Sequence, residues 1–494
     1  MLGVALALLA GAGVLALRDD ADDAAAPGSA TPALPFDLPP PAQLRASERK
    51  VFAHYFPPLP VSLDNRPASK DYYTEEYLDP DGEDGKHADY GGHLRDRPLP
   101  RPPRSGDDWR LQDMRSEVEQ AVASGLDGFS VNIIQFEDGS DERLWKNTEL
   151  LLQAAEDVDP GFQVMLMPDM SGSLVEKSVD DLADGVAELA EHASAYRLDD
   201  GRLVVAPFKA EAHDAEWWAA FKDDMESEHD LRVALLPVFV GDERRYLEEF
   251  DRVSYGMSVW GERNPQTNDP DETGGSSQRA RAARVKRLGQ KWMQPVSVQD
   301  ARPNQGVYDE AENTQNLRDT WALARRTDAD LVQLTTWNDY TEGTAFAPSV
   351  KHGWSFLDVS AYYLTWWKTG ERPRVVRDAV YVTHRTQPVD AEPSDQEELM
   401  ERRGGSPARD TVEALTFLTA PARVVVRVGD EERTCDVEAG VDTCTAPLST
   451  GEVRVDVVRG DGRVASVTSP FEVSDSPEVQ DLEYVAVGSL RSEA

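Results

Sequence analysis

The chain has 494 residues and a formal net charge of −40. That length exceeds one average domain and permits a large buried core. Because so acidic a chain repels polyanions, the charge argues against nucleic acid and anionic membranes as partners, whereas neutral polysaccharides remain suitable.

The N-terminal segment indicates export. Residues 2–17 are almost wholly apolar, which matches the core of a signal peptide and is short for a membrane span. We therefore predict a signal peptide over residues 1–18, with an uncleaved membrane anchor as the alternative, because only a weak cleavage site follows at 24–26. Residues 19–48 are rich in Asp, Ala and Pro and are predicted to be a disordered linker. Either assignment places the protein outside the cytoplasm, as an extracellular or cell-surface protein.

Strand-like and helix-like segments alternate over residues 49–372. Eight apolar runs are each followed by a segment with apolar residues at helical spacing. The predicted strands are 50–56, 127–134, 162–169, 203–208, 231–240, 253–260, 291–299 and 331–337. The predicted helices are 107–125, 142–157, 179–192, 215–225, 245–250, 277–288, 314–327 and 356–368. The segment 57–106, between the first strand and the first helix, lacks periodicity, and a loop of that length is usually functional or disordered.

The composition of the strands indicates a parallel sheet. Continuous Val, Leu, Ile and Met residues signal burial on both faces. Eight alternating units predict an α/β fold, a (β/α)8 TIM barrel over residues 49–372. A doubly wound open sheet is the alternative, but it would require a glycine-rich turn after the first strand, and the sequence has none there.

The pattern changes at residue 373. The segments 413–418, 423–428 and 452–458 alternate polar and apolar residues with period two and are separated by turns. This pattern predicts a small all-β sandwich domain over residues 373–494. A carbohydrate-binding module and a structural appendage packed on the barrel are both compatible with it.

Both cysteines of the chain, Cys435 and Cys444, lie in this predicted sandwich. Two thiols this close in sequence can be joined across a hairpin if the protein is exported. An isolated metal site would need more ligands than the surrounding segment offers. We therefore predict a disulfide between Cys435 and Cys444, and no metal site.

Polar and aromatic residues gather where the predicted barrel strands end. In barrels of this type, the active site lies at the carboxyl ends of the strands. Amide, carboxylate and indole groups at those ends suit the hydroxyls and faces of sugars. The predicted substrate-binding residues are His54, Tyr55, Asn132, Asp169, Trp260, Gln299, Asp300, Trp337 and Asn338.

Two carboxylates, Asp339 and Glu342, follow the eighth predicted strand. Glycoside hydrolysis needs such a pair, in which one acid protonates the leaving oxygen while the other activates water or attacks the sugar. The alternative is a capped strand end with two solvated acids. The sequence contains neither a zinc-binding His-Glu-x-x-His pattern nor a Gly-x-Ser-x-Gly serine elbow. We therefore expect carboxylate catalysis without a cofactor.

Four segments, 51–54, 125–132, 167–170 and 336–342, together resemble glycoside hydrolase family 71, the endo-1,3-α-glucanases or mutanases. The resemblance implies a (β/α)8 barrel with an attached β-sandwich and inverting hydrolysis of α-1,3-glucan. It also implies that the catalytic acids of the family pattern Trp-Asn-Asp-Tyr-Gly-Glu correspond to Asp339 and Glu342. Thr341 replaces the glycine of that pattern.

The residues after this motif, 343–348, resemble instead the corresponding ending in family 99, the endo-α-mannosidases and mannanases. We therefore predict a monomeric, secreted or surface-anchored glycoside hydrolase that cleaves α-1,3-glucosidic bonds in a neutral polysaccharide. A family-99-like endo-α-mannosidase or mannanase is one alternative. A non-catalytic protein that binds cell-wall polysaccharide through a decayed barrel is another, and the intact carboxylate pair argues against it.

Overall fold

The computed structural model describes residues 34–241 and 243–491. The predicted signal or anchor segment, residues 1–18, and the first part of the predicted linker lie outside these described residues. In the described part of the chain, no helix is both long and apolar enough to cross a membrane.

The strands and helices follow the order expected from the sequence. The strands are β1 (Lys50–Tyr55), β2 (Gly128–Ile133), β3 (Gln163–Pro168), β4 (Leu203–Val205), β5 (Val233–Leu235), β6 (Val238–Phe239), β7 (Gly256–Val259), β8 (Lys291–Val296), β9 (Asp300–Arg302), β10 (Val307–Asp309), β11 (Leu331–Leu334), β12 (Ala379–His384), β13 (Glu401–Arg403), β14 (Thr411–Leu418), β15 (Ala422–Val428), β16 (Glu431–Val437), β17 (Gly440–Pro447), β18 (Val453–Arg459), β19 (Gly462–Thr468) and β20 (Val485–Gly488). The helices are α1 (Pro41–Arg45), α2 (Gly82–Gly85), α3 (Trp109–Ala123), α4 (Glu142–Val158), α5 (Val179–Leu189), α6 (Ala215–Ser227), α7 (Glu243–Glu249), α8 (Gln278–Arg287), α9 (Gln315–Arg326) and α10 (Ser355–Thr369).

The parallel strands form a closed barrel. Their order in the sheet is β5-β4-β3-β2-β1-β11-β8-β7-β6. Strands β5 and β6 are two halves of one stretch, interrupted at Leu236 and Pro237, so both ends of the sheet belong to the same barrel strand. The Leu236 amide donates to the Val205 carbonyl on one side (2.8 Å), and the Pro237 carbonyl accepts from the Ser258 amide on the other (2.9 Å). Proline has no N–H to donate, which explains the interruption. The strand order therefore closes on itself, and the predicted (β/α)8 barrel is confirmed.

Residues 34–48 are ordered, although the sequence predicts a disordered linker there. Leu34, Phe36 and Leu44 are buried, and the Phe36 ring packs edge-on against Tyr362 of α10 at 5.3 Å. The prediction is wrong for this part because average composition does not show that three apolar side chains meet an apolar surface on the barrel.

The C-terminal strands form the predicted sandwich. Two four-stranded antiparallel sheets, β17-β14-β12-β20 and β16-β15-β18-β19, enclose an apolar core that includes Val380, Val412, Val424 and Val455. The outer face of the first sheet packs on α10. The predicted disulfide between Cys435 and Cys444 is present, and it joins β16 to β17, which are edge strands of the two different sheets.

The long segment after β1 lies over the carboxyl end of the barrel. Leu59, Tyr73 and Leu94 from this segment form an apolar cluster with Tyr340, which stands between the two predicted catalytic acids. The segment therefore supports the loop that follows β11.

Candidate active site

The loop after β11 is fixed to the end of β1. The Trp337 amide donates to the His54 carbonyl (2.7 Å). The Asn338 side-chain amide donates to the carbonyls of Phe56 (3.0 Å) and Leu59 (2.8 Å), and its oxygen accepts from the Phe56 amide (2.7 Å). These bonds hold the next residue, Asp339, at the mouth of the barrel.

The Asp339 carboxyl is almost fully buried and well supplied with donors. Its Oδ1 accepts hydrogen bonds from the Thr341 amide (3.0 Å), the Thr341 hydroxyl (2.6 Å) and the Glu342 amide (3.3 Å). Burial raises the pKa of Asp339, while the Thr341 hydroxyl and the Arg302 charge act in the opposite direction. Thr341, which replaces the glycine of the family pattern, thus gives the carboxylate an additional donor.

The Glu342 carboxyl has a different environment. Its Oε1 pairs with Arg302 Nη1 at 2.6 Å, and its buried Oε2 has no hydrogen-bond partner among the described residues. Burial and the neighbouring Asp339 charge raise the pKa of Glu342 to about 8, although Arg302 opposes the shift. A carboxyl with such a pKa holds its proton at neutral pH and is able to donate it.

Arginines that the sequence pattern did not indicate surround these acids. Arg302, on β9, donates from Nε and Nη2 to both oxygens of Asp300 (2.7 and 2.6 Å). Arg263 is buried 3.8 Å from Asp300, and its Nη2 has no partner among the described residues. Arg403 pairs with Asp300 and Asp309, both at 3.2 Å. The spacing of Asp300 and Arg302 was the available signal, because residues i and i+2 share one face of a strand.

Four predicted substrate-binding residues lie inside the mouth of the barrel. Asn132 Nδ2 donates to Asp169 Oδ2 (3.0 Å), and the buried Asn132 Oδ1 lacks a partner within the described chain. The His54 ring meets Trp260 edge-on at 4.8 Å. Burial and the nearby Arg263 charge lower the pKa of His54 to about 3, so this imidazole is neutral.

A cleft opens beside Trp260. It has a volume of about 450 Å³ and is lined by Val240, Trp260, Arg302 and Arg403, among others. Trp260 is half-buried, so part of its indole faces the cleft. An aromatic face next to charged groups suits the faces and hydroxyls of sugar rings.

Two predicted substrate-binding residues, Tyr55 and Trp337, lie in the core instead of the cleft. Both are fully buried on the outer side of the barrel strands, where they donate hydrogen bonds to the buried Glu117 of α3 (2.8 and 3.3 Å). The structure therefore does not bring them to the substrate. Side chains alternate between the faces of a strand, so that Tyr55 points away from the interior that His54 faces.

Three further predicted residues use their polar groups within the protein. Asn338 is occupied by the end of β1, as described above. The Gln299 side chain accepts from the Tyr484 amide (2.6 Å) and donates to the Tyr484 carbonyl (3.4 Å). Asp300 is buried among arginines. Among the described residues, the polar groups of all three are thus engaged within the protein, and the structure does not present them to the cleft as the sequence predicts.

No group of three His, Cys, Asp or Glu side chains is arranged to hold a metal ion in the part of the chain that the structure describes.

Comparison with known proteins gives a family and a relative. The family model described as glycosyl hydrolase family 71 matches residues 105–493. The glucan endo-1,3-alpha-glucosidase agn1 of Schizosaccharomyces pombe is 23% identical over 399 residues, which are 76% of this chain and 90% of that protein.

Solved structures of glycoside hydrolases also match. The GH99 endo-alpha-mannosidase of Bacteroides thetaiotaomicron is 14% identical, with a TM-score of 0.47, and the match covers 65% of this chain and 98% of that one. An endo-beta-1,4-mannanase double mutant of Cellulomonas fimi is 16% identical, with a TM-score of 0.33, and the match covers 70% of this chain and 86% of that one. The barrel assignment rests on the strand order of the present chain, not on these similarities.

Proposed function

The chain belongs to glycosyl hydrolase family 71, and from this premise we propose that it cleaves α-1,3-glucosidic bonds within polysaccharides, with inversion at the anomeric carbon. Its activity as a glycoside hydrolase follows from the family. The choice of α-1,3-glucan is supported by the matched relative from Schizosaccharomyces pombe, a glucan endo-1,3-alpha-glucosidase. Inversion is what the sequence resemblance implies.

The observation that carries the mechanism is the contrast between the two carboxyls. Asp339 Oδ1 accepts three hydrogen bonds, which favour its ionised form. Glu342 has a buried oxygen without a partner among the described residues and a pKa of about 8. We therefore assign Glu342 as the general acid and Asp339 as the general base, the division that two environments commonly impose on a carboxylate pair.

In this reaction Glu342 donates its proton to the glycosidic oxygen as the bond to the anomeric carbon breaks. Asp339 accepts a proton from a water molecule, whose oxygen forms the new bond on the opposite face of the sugar. The products are a shortened chain with a new reducing end and a released non-reducing end. Because the two carboxyls interact, their two protons leave in coupled steps, and kinetics report values for the pair.

Other residues at the mouth of the barrel supply the contacts for a neutral sugar. Trp260 presents an indole face to the cleft, Asn132 Oδ1 has no partner among the described residues and can accept from a hydroxyl, and Asp169 lies beside Asn132. The neutral His54 ring completes the apolar edge of the site. We also propose export of the protein, which the apolar residues 2–17 and the disulfide support.

The experiment measures release of reducing ends from insoluble α-1,3-glucan, dextran and α-mannan. We expect the wild type to act on α-1,3-glucan, and Asp339→Asn and Glu342→Gln each to lower that activity by about 10³-fold. Glu119→Gln, an exposed change on α3, is the matched control and should act as the wild type does. Release from α-mannan alone would favour the family-99-like alternative, and binding to the polymer without product would favour a non-catalytic protein.

A further inference from the structure

The Arg302 guanidinium lies where its charge should oppose protonation of Glu342, the proposed general acid. A guanidinium 2.6 Å from a carboxyl oxygen stabilises the carboxylate and normally lowers its pKa. A general acid must instead keep its proton until the sugar arrives. The arrangement of the surrounding charges resolves this conflict.

Asp300 takes most of the hydrogen-bonding capacity of Arg302. Both oxygens of Asp300 accept from Arg302, through Nε at 2.7 Å and Nη2 at 2.6 Å, and only Nη1 is directed at Glu342. Asp300 is completely buried, so its charge is not screened by solvent. Arg302 therefore orients Glu342 with a hydrogen bond while its charge is largely balanced by another residue.

The charges of this network, which is buried apart from the Arg403 side chain, also favour a proton on one of its carboxyls. Among the described residues, its cations are Arg263, Arg302 and Arg403, and its carboxyls are Asp300, Asp309, Asp339 and Glu342. With all four carboxyls ionised, the network carries one excess negative charge. With a proton on Glu342 the charges balance, and a balanced set costs less to bury than one with an unpaired charge.

Other ionisable groups near Glu342 are engaged elsewhere. On the far side of Gly343, the buried Glu483 accepts from Lys351 Nζ at 3.1 Å, and Asp481 contacts the same lysine. On the barrel side, His54 is neutral. Among the described residues, the groups that remain to set the charge state of Glu342 are thus Asp339 and the Asp300–arginine cluster.

We propose that Asp300 and Arg302 form a positioning pair that keeps Glu342 both oriented and protonated. Asp300 favours the protonated form of Glu342, whereas the charge of Arg302 favours the ionised form. The proposal rests on the assignment of Glu342 as the general acid. It makes Asp300, which contacts no substrate in this account, a determinant of the pH range of the enzyme.

The first test is the pH profile of kcat/KM on α-1,3-glucan. The alkaline limb reports loss of the proton from the acid, and we expect it near pH 8 in the wild type. Asp300→Asn leaves the Arg302 charge uncompensated, so the limb should move down by about one pH unit. Arg302→Gln removes that charge, and the limb should move up by about the same amount.

Two further variants separate charge from shape. Arg302→Lys keeps the charge but lacks the planar fork, so kcat should fall while the limb stays closer to that of the wild type. Arg403 has a side chain that is 42% exposed and pairs with Asp300, so Arg403→Gln should fold even if Asp300→Asn does not. It should move the limb upward, by less than Arg302→Gln does.

A second readout does not require activity. The folded pKa of Glu342 lies above its unfolded value, so its stabilising effect is complete below about pH 4.3 and is lost as pH rises through about 8. The difference in Tm between the wild type and Glu342→Gln should therefore fall across this range and level off at the folded pKa. That end point should be lower in the Asp300→Asn background and higher in the Arg302→Gln background. If both variants move it in the same direction, or neither moves it, the positioning pair is refuted. Absence of activity on α-glucan with opposite shifts would refute only the proposed substrate.

Discussion

The two ends of the barrel each hold a buried carboxylate next to a cation, but the cations are used differently. At the amino end of β2, Asp127 accepts from the Val51 amide at 2.6 Å and from Lys368 of α10. Among the described residues, Lys368 pairs with Asp127 alone. At the carboxyl end, Arg302 is shared between Asp300 and Glu342.

This difference separates a structural ion pair from the pair that we propose positions the general acid. A lysine that pairs with a single carboxylate fixes α10 against the start of β2. The charges of that pair are balanced, so neither group needs to gain or lose a proton. An arginine shared by two carboxyls leaves one of them able to be neutral. The amino end of such a barrel commonly serves stability and the carboxyl end serves catalysis, and here the distinction depends on how many acids each cation serves.

The largest effect should come from the acids at the carboxyl end. Asp339→Asn and Glu342→Gln should each lower kcat/KM by about 10³-fold, because each removes a proton transfer made in the transition state. Steady-state kinetics on α-1,3-glucan measures this, with circular dichroism as the check on folding. Retention of near-normal rates by either variant would remove that residue from catalysis.

At the amino end the expected loss is in stability. Lys368→Met leaves Asp127 charged and buried without its ion partner, which should lower the free energy of unfolding by about 3–5 kcal/mol. Denaturant titration measures it, with the exposed Lys146→Met on α4 as the control. A shift of the pH profile in the folded Lys368→Met protein would contradict the separation of the two ends.

The disulfide lies in the sandwich and not at either end of the barrel, so its loss should disturb neither ion pair. Replacing Cys435 and Cys444 together with serine should lower the free energy of unfolding by about 2–3 kcal/mol, since the bond closes a short loop. Because the bond joins the two sheets of the sandwich, the catalytic rate of the folded protein should be unchanged. A large fall in kcat would show that the sandwich takes part in the active site.

The smallest expected effect concerns the apolar side of the cleft. Trp260→Ala should raise KM roughly tenfold, with a smaller change in kcat, since a stacked indole contributes to binding. Trp217→Ala, a half-buried tryptophan on α6, is the matched control. If KM for α-1,3-glucan does not change, Trp260 does not contact the sugar.

The barrel was predictable because the composition of its strands indicates that they are buried. A continuous apolar run such as 203–208 can be buried on both faces only within a covered parallel sheet. The interruption at Pro237 does not obscure this pattern. Order in residues 34–48 was not predictable, because it depends on an apolar surface of α10 that forms only in the folded protein.

Within the site, the order of the chain indicated the carboxylates but not their charge environment. Asp339 and Glu342 are close in sequence, whereas Arg263 and Arg403 reach Asp300 from distant segments. Alternation of side chains along β1 could have excluded Tyr55 from the substrate-binding residues and kept His54. The same argument does not apply to Trp337, because β11 ends at Leu334 and Trp337 lies beyond the strand. The polar groups of Gln299 are occupied by Tyr484, a contact between the barrel and the C-terminal region that no local pattern encodes.

We propose that Glu342 and Asp339 hydrolyse α-1,3-glucosidic bonds with inversion, as an acid and a base. Time-resolved ¹H NMR of a defined α-1,3-linked gluco-oligosaccharide tests it most directly, because the anomeric signals report the linkage that breaks and the configuration of the new reducing end together. We predict that the β-anomer forms first and then mutarotates, and that no product forms with Glu342→Gln. First appearance of the α-anomer, or cleavage by Glu342→Gln at the wild-type rate, would contradict the account.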